Sequence, residues 1–298
     1  MQDLGFIGTK NKLGKKEGFG IQKWKDGSTY KGNFINGEAN GWGIFYYPNG
    51  DIHKGKFEKD IICGYGECYN KKGPIFYGSF FEDNLSGIGY EIWSESTTYY
   101  GEYKNGKKDG IGTYKWNNKT MYEGQWKENL MDGYGIYHFE NGRIYKGEWK
   151  DSKIHGYGEF TWVEGRKYYG FYKKDLKDGF GIYCWPGNKF LVGFWKEGKQ
   201  HGMGKYINNK IIKYGFWNLG KKTKEYQNED EFLDNLDENE KRCEIYFKWN
   251  IDKLKAYLHF EGYDNDENGF IEESNKKKKL KKGRKKHQRN QNGTEDEN

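Results

Sequence analysis

Residues 122–144 read Tyr-Glu-Gly-Gln-Trp-Lys-Glu-Asn-Leu-Met-Asp-Gly-Tyr-Gly-Ile-Tyr-His-Phe-Glu-Asn-Gly-Arg-Ile, and Tyr145-Lys146-Gly147 begins the same phrase again. The Gly-x-Gly step inside it starts at Gly133. Equal steps start at Gly18, Gly41, Gly64, Gly87, Gly110, Gly156, Gly179 and Gly202, each 23 residues from the next. A fixed period of this length marks a repeat architecture in which each unit is one supersecondary element stacked on its neighbours.

Parity decides what that element is. Residues two apart on a strand share a face, so Tyr122, Gly124 and Trp126 lie together, as do Gly133, Gly135, Tyr137 and Phe139, while Glu123, Gln125 and Lys127 point the other way. The residue two after each unit's leading glycine is aromatic throughout: Phe34, Phe57, Phe80, Tyr103, Trp126, Trp149, Tyr172, Trp195 and Trp217. A ring laid over a neighbour's bare glycine accounts for both residue types. The first turn of each unit offers a residue suited to positive φ, such as Gly37, Asp60, Asn129, Asp175 or Gly220. The second often carries Asp26-Gly27, Asn49-Gly50 or Asn141-Gly142, the pairs favoured in type I′ turns. Each unit is therefore a β-hairpin. The expected fold is all-β: an elongated single-layer antiparallel sheet of stacked hairpins, its eighteen strands extending roughly 85 Å at about 4.8 Å per strand, twisted into a rod or trough.

The phrase resembles the MORN repeat family. Tyr145-Lys146-Gly147-Glu148-Trp149 and His155-Gly156-Tyr157-Gly158, followed by Phe160 and Trp162, carry the family's aromatic-x-Gly, His-Gly-x-Gly and second-strand aromatic pattern. The likeness covers residues 6–220. Departures fall in units three, four and nine: His53 and Leu191 replace the leading aromatic, Cys68 and Glu91 a strand aromatic, Asn70 and Asn208 the final one. The resemblance implies a scaffold that takes protein partners, or associates with itself, through its grooved aromatic face or its edges. Binding to anionic phospholipid is a further property proposed for the family.

Composition supports a thin core. Hydrophobic residues are 34% of the chain and mean hydropathy is −1.16, whereas compact domains are about 45–50% apolar. Aromatics at 19% and 44 glycines stand in for aliphatics. No apolar run has the length of a membrane helix, and the N-terminal residues lack the pattern of a secretory signal. Cys63, Cys68, Cys184 and Cys243 form no Cys-x-x-Cys and read as free thiols of a reducing cytoplasm. The Gly-x-Gly steps do not continue into a dinucleotide-binding fingerprint, and no other catalytic motif occurs. His155 and His201 stand two units apart, too far to share a metal. The chain reads as neither an enzyme nor a cofactor carrier.

The expected organisation is an array over 1–222, with nine repeats and a terminal half-hairpin, an acidic linker with an amphipathic helix over 223–262, and a disordered tail over 263–298. Net charge is +11 over 1–224, −11 over 225–275 and +7 beyond. Ile251, Leu254, Tyr257 and Leu258 recur at helical spacing, and this helix, over about 230–261 in one or two pieces, is expected to dock in the aromatic trough near its C-terminal units; the alternative is a free helix that awaits a partner. Asp264, Asp266 and Asn268, followed by Gly269, resemble the start of an EF-hand calcium loop, but Asn275 stands where a bidentate Glu belongs, so an acidic turn is the better reading. The basic run 276–286 holds Lys276, Lys277, Lys278, Lys279, Lys281, Lys282, Arg284, Lys285 and Lys286. Anionic lipid or a nuclear import receptor fits such a run, and the alternative is a solubilising tail or one that contacts the acidic segment beside it. Nucleic acid is a less favoured partner.

The function expected is a protein-interaction scaffold holding a helix or peptide in an aromatic groove, with Trp126, Trp149, Trp162, Trp185 and Trp195 as exposed anchors, since Trp and Tyr dominate binding hot spots. A homodimer is a second way to fill the groove. The Lys- and Asn-rich style is similar to MORN proteins of unicellular eukaryotes, which implies a cytoplasmic protein associated with cytoskeleton or cilium. The alternative is a peripheral membrane protein binding anionic phospholipids, phosphoinositides among them, through the basic array and tail.

Overall fold

In the computed structural model, which describes residues 2–94, 97–116, 119–250 and 252–253, twenty strands run from β1 (Asp3–Lys10) to β20 (Lys221–Tyr226). Each pairs antiparallel with the next in one open sheet. The all-β stack of hairpins expected from the period is what forms. The last edge strand, β20, carries exposed Lys221, Lys222 and Lys224, charges that discourage a further strand from adding.

The two glycines of each step serve different ends. β13 (Ile144–Lys150) pairs with β14 (Lys153–Thr161) through Gly147–Gly158 and Trp149–Ile154, with a bulge between. Gly156 sits in that bulge at φ +63°. The first glycine of all nine steps has φ between +63° and +108°, where a side chain is strained. The second glycine is needed for space: a Cβ on Gly135 would run into the Tyr122 ring.

Turn chemistry differs from expectation. Type I′ geometry requires positive φ at two successive residues, and it occurs in the first turns, as at Glu128 (+48°) and Asn129 (+71°) or Lys174 (+50°) and Asp175 (+70°). The Asn49-Gly50 and Asn141-Gly142 turns have positive φ only at glycine. The Phe139 N–H donates to Arg143 O and the Gly142 N–H to Phe139 O, both at 2.9 Å, so each is a longer turn closed by a left-handed glycine.

First turns also clasp successive hairpins. Lys108 N–H donates to Asn129 Oδ1 at 2.8 Å and Asn129 N–H returns a bond to Lys108 O at 2.9 Å. Asp60, Asp83, Ser152 and Asp175 repeat this reciprocal pair 21 residues downstream of Ala39, Ile62, Met131 and Ile154.

The core is a buried herringbone on the glycine face. Tyr122 meets Trp126 at 5.2 Å and Trp149 at 5.4 Å, Tyr145 meets Trp149 at 5.3 Å and Tyr172 at 5.5 Å, and Tyr168 meets Trp195 at 5.0 Å, all edge to face. The hydroxyls of Tyr30, Tyr99, Tyr122, Tyr145 and Tyr168 donate to the carbonyl three residues on, at 2.9–3.4 Å, so full burial leaves none of them unsatisfied.

Residues Met1–Cys243 form one compact unit, and Glu244 begins a second. In place of a helix from about 230 in one or two pieces, the chain makes three short ones, α1 (Glu229–Asp234), α2 (Glu238–Lys241) and α3 (Glu244–Phe247). Polar caps set where the first two start: Asn228 Oδ1 accepts from Glu231 N–H at 2.9 Å ahead of α1, and Asp237 with Glu240 forms a reciprocal capping box that opens α2. Residues 251 and 254–261 of the expected helix lie outside the described residues. α1 packs on β19 (Ile211–Asn218) and β20. Phe232 is fully buried against Tyr214 at 5.0 Å and Tyr226 at 5.7 Å.

Candidate partner-binding surface

Above the herringbone, the ends of the second strands build a row of rings, half-buried except for Phe160, which is a core residue. Tyr114–Trp116, Tyr137–Phe139, Phe160–Trp162 and Tyr183–Trp185 are spaced 4.4–4.6 Å within units. Trp116–Tyr137, Phe139–Phe160 and Trp162–Tyr183 join consecutive units at 5.4–5.5 Å. Rings stack because each unit places its aromatic pair two strands further along the sheet. The ladder runs unbroken from Tyr114 to Trp185. It stops where Glu91 replaces the ring, at a 460 Å³ pocket that also includes Trp93, Trp116 and Met131.

That break is polar. Glu91 is buried, pairs with Lys108 Nζ at 2.6 Å and accepts from the Tyr103 hydroxyl at 3.1 Å. The Lys108 ammonium also lies 4.9 Å from the Tyr99 ring centroid. Lys177, three units on at the same repeat position, sits 4.8–5.1 Å from the rings of Trp162, Tyr168 and Tyr183. Burial pushes its ammonium down to about 8, with repulsion from Arg166 adding to the shift, while the three ring faces attract the cation. In unit three, buried His53 stands in the leading-aromatic position with Nδ1 3.1 Å from Cys68 Sγ. Desolvation lowers the imidazole to about 4.

Three of the five tryptophans expected as exposed anchors are core residues. Trp126, Trp149 and Trp195 are only 6–7% exposed. The indole N–H of Trp126 donates to Gly112 O at 3.1 Å and that of Trp149 to Gly135 O at 3.3 Å, so these buried rings are tied to the preceding hairpin's backbone and are not available to a partner. Trp162 and Trp185 are half-buried members of the ladder. The calcium-loop candidates Asp264, Asp266 and Asn268, and the basic run Lys276–Lys286, lie outside the described residues. Among the described residues no group of His, Cys, Asp and Glu is placed to hold a metal ion, and no helix is long and apolar enough to cross a membrane.

The opposite face carries a row that parity reasoning passed over as polar. The middle residue of every Gly-x-Gly step is apolar or aromatic. Phe19, Trp42, Tyr65, Ile88, Ile111 and Tyr134 are 49–67% exposed. The ninth, Met203, is 1% exposed, and its N–H donates to Glu240 Oε1 of α2 at 3.0 Å. Lys205 on the same face pairs with Glu229 of α1 at 3.0 Å. The C-terminal helices α1 and α2 thus cover this far face and not the ladder, contrary to expectation. Helix α2 takes up a vacated acceptor position. Tyr134 N–H donates to Gln125 Oε1 at 2.6 Å and Tyr157 N–H to Glu148 Oε1 at 3.0 Å. Unit nine has Phe194 at that repeat position, and Glu240 supplies the missing oxygen.

The MORN repeat family matches residues 12–29, 30–52, 99–121, 122–142, 145–165, 168–189 and 192–209. The chain is a MORN-repeat protein. The unmatched residues 53–98 hold units three and four, where His53, Cys68, Asn70 and Glu91 depart from the repeat. No curated protein matches the sequence. Solved structures similar to it include the SAS-4 (dCPAP) TCP domain of Drosophila melanogaster in complex with a proline-rich motif of Ana2 (dSTIL), at 17% identity over 53% of this chain and 86% of that chain, TM-score 0.33. Another is the wild-type TCP10 domain of Danio rerio CPAP, at 12% identity over 74% and 94%, TM-score 0.34.

Proposed function

We propose that this MORN array is a protein-interaction scaffold whose aromatic ladder, from Tyr114 to Trp185, holds a helical or extended segment of a partner protein. The observation that carries the reading is the unbroken row of rings, half-buried at every position but Phe160, which belongs to the core and bridges its neighbours. Rigid aromatic side chains give large contact area at low entropic cost, and the buried herringbone beneath fixes their spacing. Family membership supports a scaffold in general, and supports a cytoskeletal or ciliary setting as the finer proposal. The net charge of +11 over 1–224 supports electrostatic attraction to anionic phospholipid as a second reading. That attraction would be salt-sensitive, and flotation with acidic vesicles at low and physiological salt tests it.

The test of the ladder is positional photo-crosslinking in native cells. A benzophenone side chain at Phe139 or Trp162 of the full chain is expected to give one discrete protein adduct, and the same group at far-face Lys127 or Lys150 none. Adducts of equal yield from both faces, or none from the ladder, would remove the proposal.

A further inference from the structure

The far face offers a second seat, distinct from the ladder, in units two and three. We propose that Trp42, Lys56 and Tyr65 bind a short acidic amphipathic helix of a partner protein, in the manner in which α2 is held at Met203.

The geometry at unit nine defines what such a seat accepts. There the middle residue of the step presents an apolar side chain, which is buried, and an outward N–H, from which a helical glutamate accepts. In units six and seven the sheet satisfies the N–H itself through Gln125 and Glu148. In units three and four the equivalent residues are Lys56 and Ser79. An ammonium is a donor only, and the short Ser79 side chain lies beside Gly87, its oxygen 3.9 Å from where a Cβ would stand. These units lack the in-sheet carboxylate or amide, as unit nine does.

Unit three adds charge. Trp42 and Lys56 are cross-strand partners, and Lys56 runs along Gly64, its Cδ 3.7 Å from a Cβ built there. One exposed ammonium therefore stands between two exposed aromatic side chains, Trp42 at 62% and Tyr65 at 56%. Lys54 lies on the same face. The carboxylate beside it, Glu67, meets Lys54 at 4.0 Å and accepts from the Tyr69 hydroxyl at 2.8 Å. A partner carboxylate placed at Lys56 meets both a cation and the Tyr65 N–H, with its apolar neighbours on the two rings. Acidic character in the occupant follows from that pairing, and helical character from the seat at Met203.

A fluorescein-labelled peptide of residues 228–242, titrated into the full chain and followed by anisotropy, tests the seat. Saturable binding is expected, weakened about tenfold or more by Trp42→Ser, by Tyr65→Ser and by Lys56→Glu, as for loss of a hot-spot contact. Glu240→Gln in the peptide should weaken it comparably. Trp162→Ser should leave it unchanged, which separates this surface from the ladder. All three residues are on the surface, and an unchanged thermal midpoint confirms folding. Three results would overturn the proposal: no saturable binding, binding indifferent to Trp42→Ser but abolished by Phe194→Glu (displacement of the chain's own α2), or stronger binding of a single-stranded oligonucleotide with the same dependence on Trp42.

Discussion

Ile154 and Asp175 hold each other twice: the Ile154 N–H donates to Asp175 Oδ1 at 2.8 Å, and the Asp175 N–H donates to Ile154 O at 2.9 Å. The two residues lie on successive hairpins, so the pair is a clasp between repeats. Asp175 also sits at φ +70°, where glycine is comfortable and alanine is not. Asp175→Asn should be nearly neutral. Asp175→Gly should lose one hydrogen bond, about 1 kcal/mol, and Asp175→Ala should cost about 1–2 kcal/mol more through backbone strain. Equal denaturation midpoints for the Gly and Ala variants would sink the strain argument.

The two glycines of a step should fail for different reasons. Gly135→Ala pushes a methyl into the Tyr122 ring and should cost about 2–3 kcal/mol. Tyr122→Ala, damaging by itself, should relieve part of that in a double-mutant cycle. Gly133→Ala is strained by its φ of +102°, and removing Tyr122 should give it no relief. Additive effects in both cycles would refute the distinction. Because repeats contact chiefly their neighbours, loss of amide protection should stay within units five to seven.

His53 should make units two to four sensitive to acid. Its folded imidazole titrates at about 4 against 6.5 for the free group, because burial disfavours the charged form. Between these values the unfolded chain binds the proton and the folded chain does not, so stability is complete above pH 6.5 and falls as pH drops toward 4. The loss is on the order of 3 kcal/mol. His53→Phe, the residue that Phe76 supplies in the next unit, should flatten this dependence. An unaltered slope between pH 7 and pH 4.5 in that variant would count against it.

The cap should be releasable by restoring the repeat's own acceptor. Phe194→Glu places a carboxylate beside the Met203 N–H and opposes Glu240. Hydrogen exchange over residues 229–241 should accelerate, while units one to six keep their protection. Unchanged protection in the helices would mean that Glu240 does not hold α2.

Much of the fold was legible because period and parity act on every unit alike: nine steps at 23 residues leave no other element than the hairpin. What parity cannot tell is which ring on a shared face lies lower. Trp126 and Phe139 point the same way, yet Trp126 lies beside a neighbour's glycine and sinks onto it, while Phe139 stands beyond the glycines at the strand end and stays half-exposed. The type I′ turns were obscure because Lys59, Glu82 and Lys174 adopt positive φ without a side-chain signature. The far-face row was visible in the middle residues of the Gly-x-Gly steps, and Glu123, Gln125 and Lys127 concealed it by standing for that whole face. The seat of α2 uses a local exchange, Phe194 for a Gln or Glu, which gains meaning only once Tyr157 and Glu148 are seen bonded.

The central claim is that the ladder, and not the tryptophans of the core, is the partner-binding surface. The most direct measurement is the dissociation constant of the cross-linked partner for the full chain, compared with Trp162→Ser/Trp185→Ser and with Trp42→Ser, each checked for its thermal midpoint. The ladder pair should weaken binding at least about tenfold with the array still folded, and Trp42→Ser should leave it unchanged. An affinity untouched by loss of both ladder tryptophans would contradict the account.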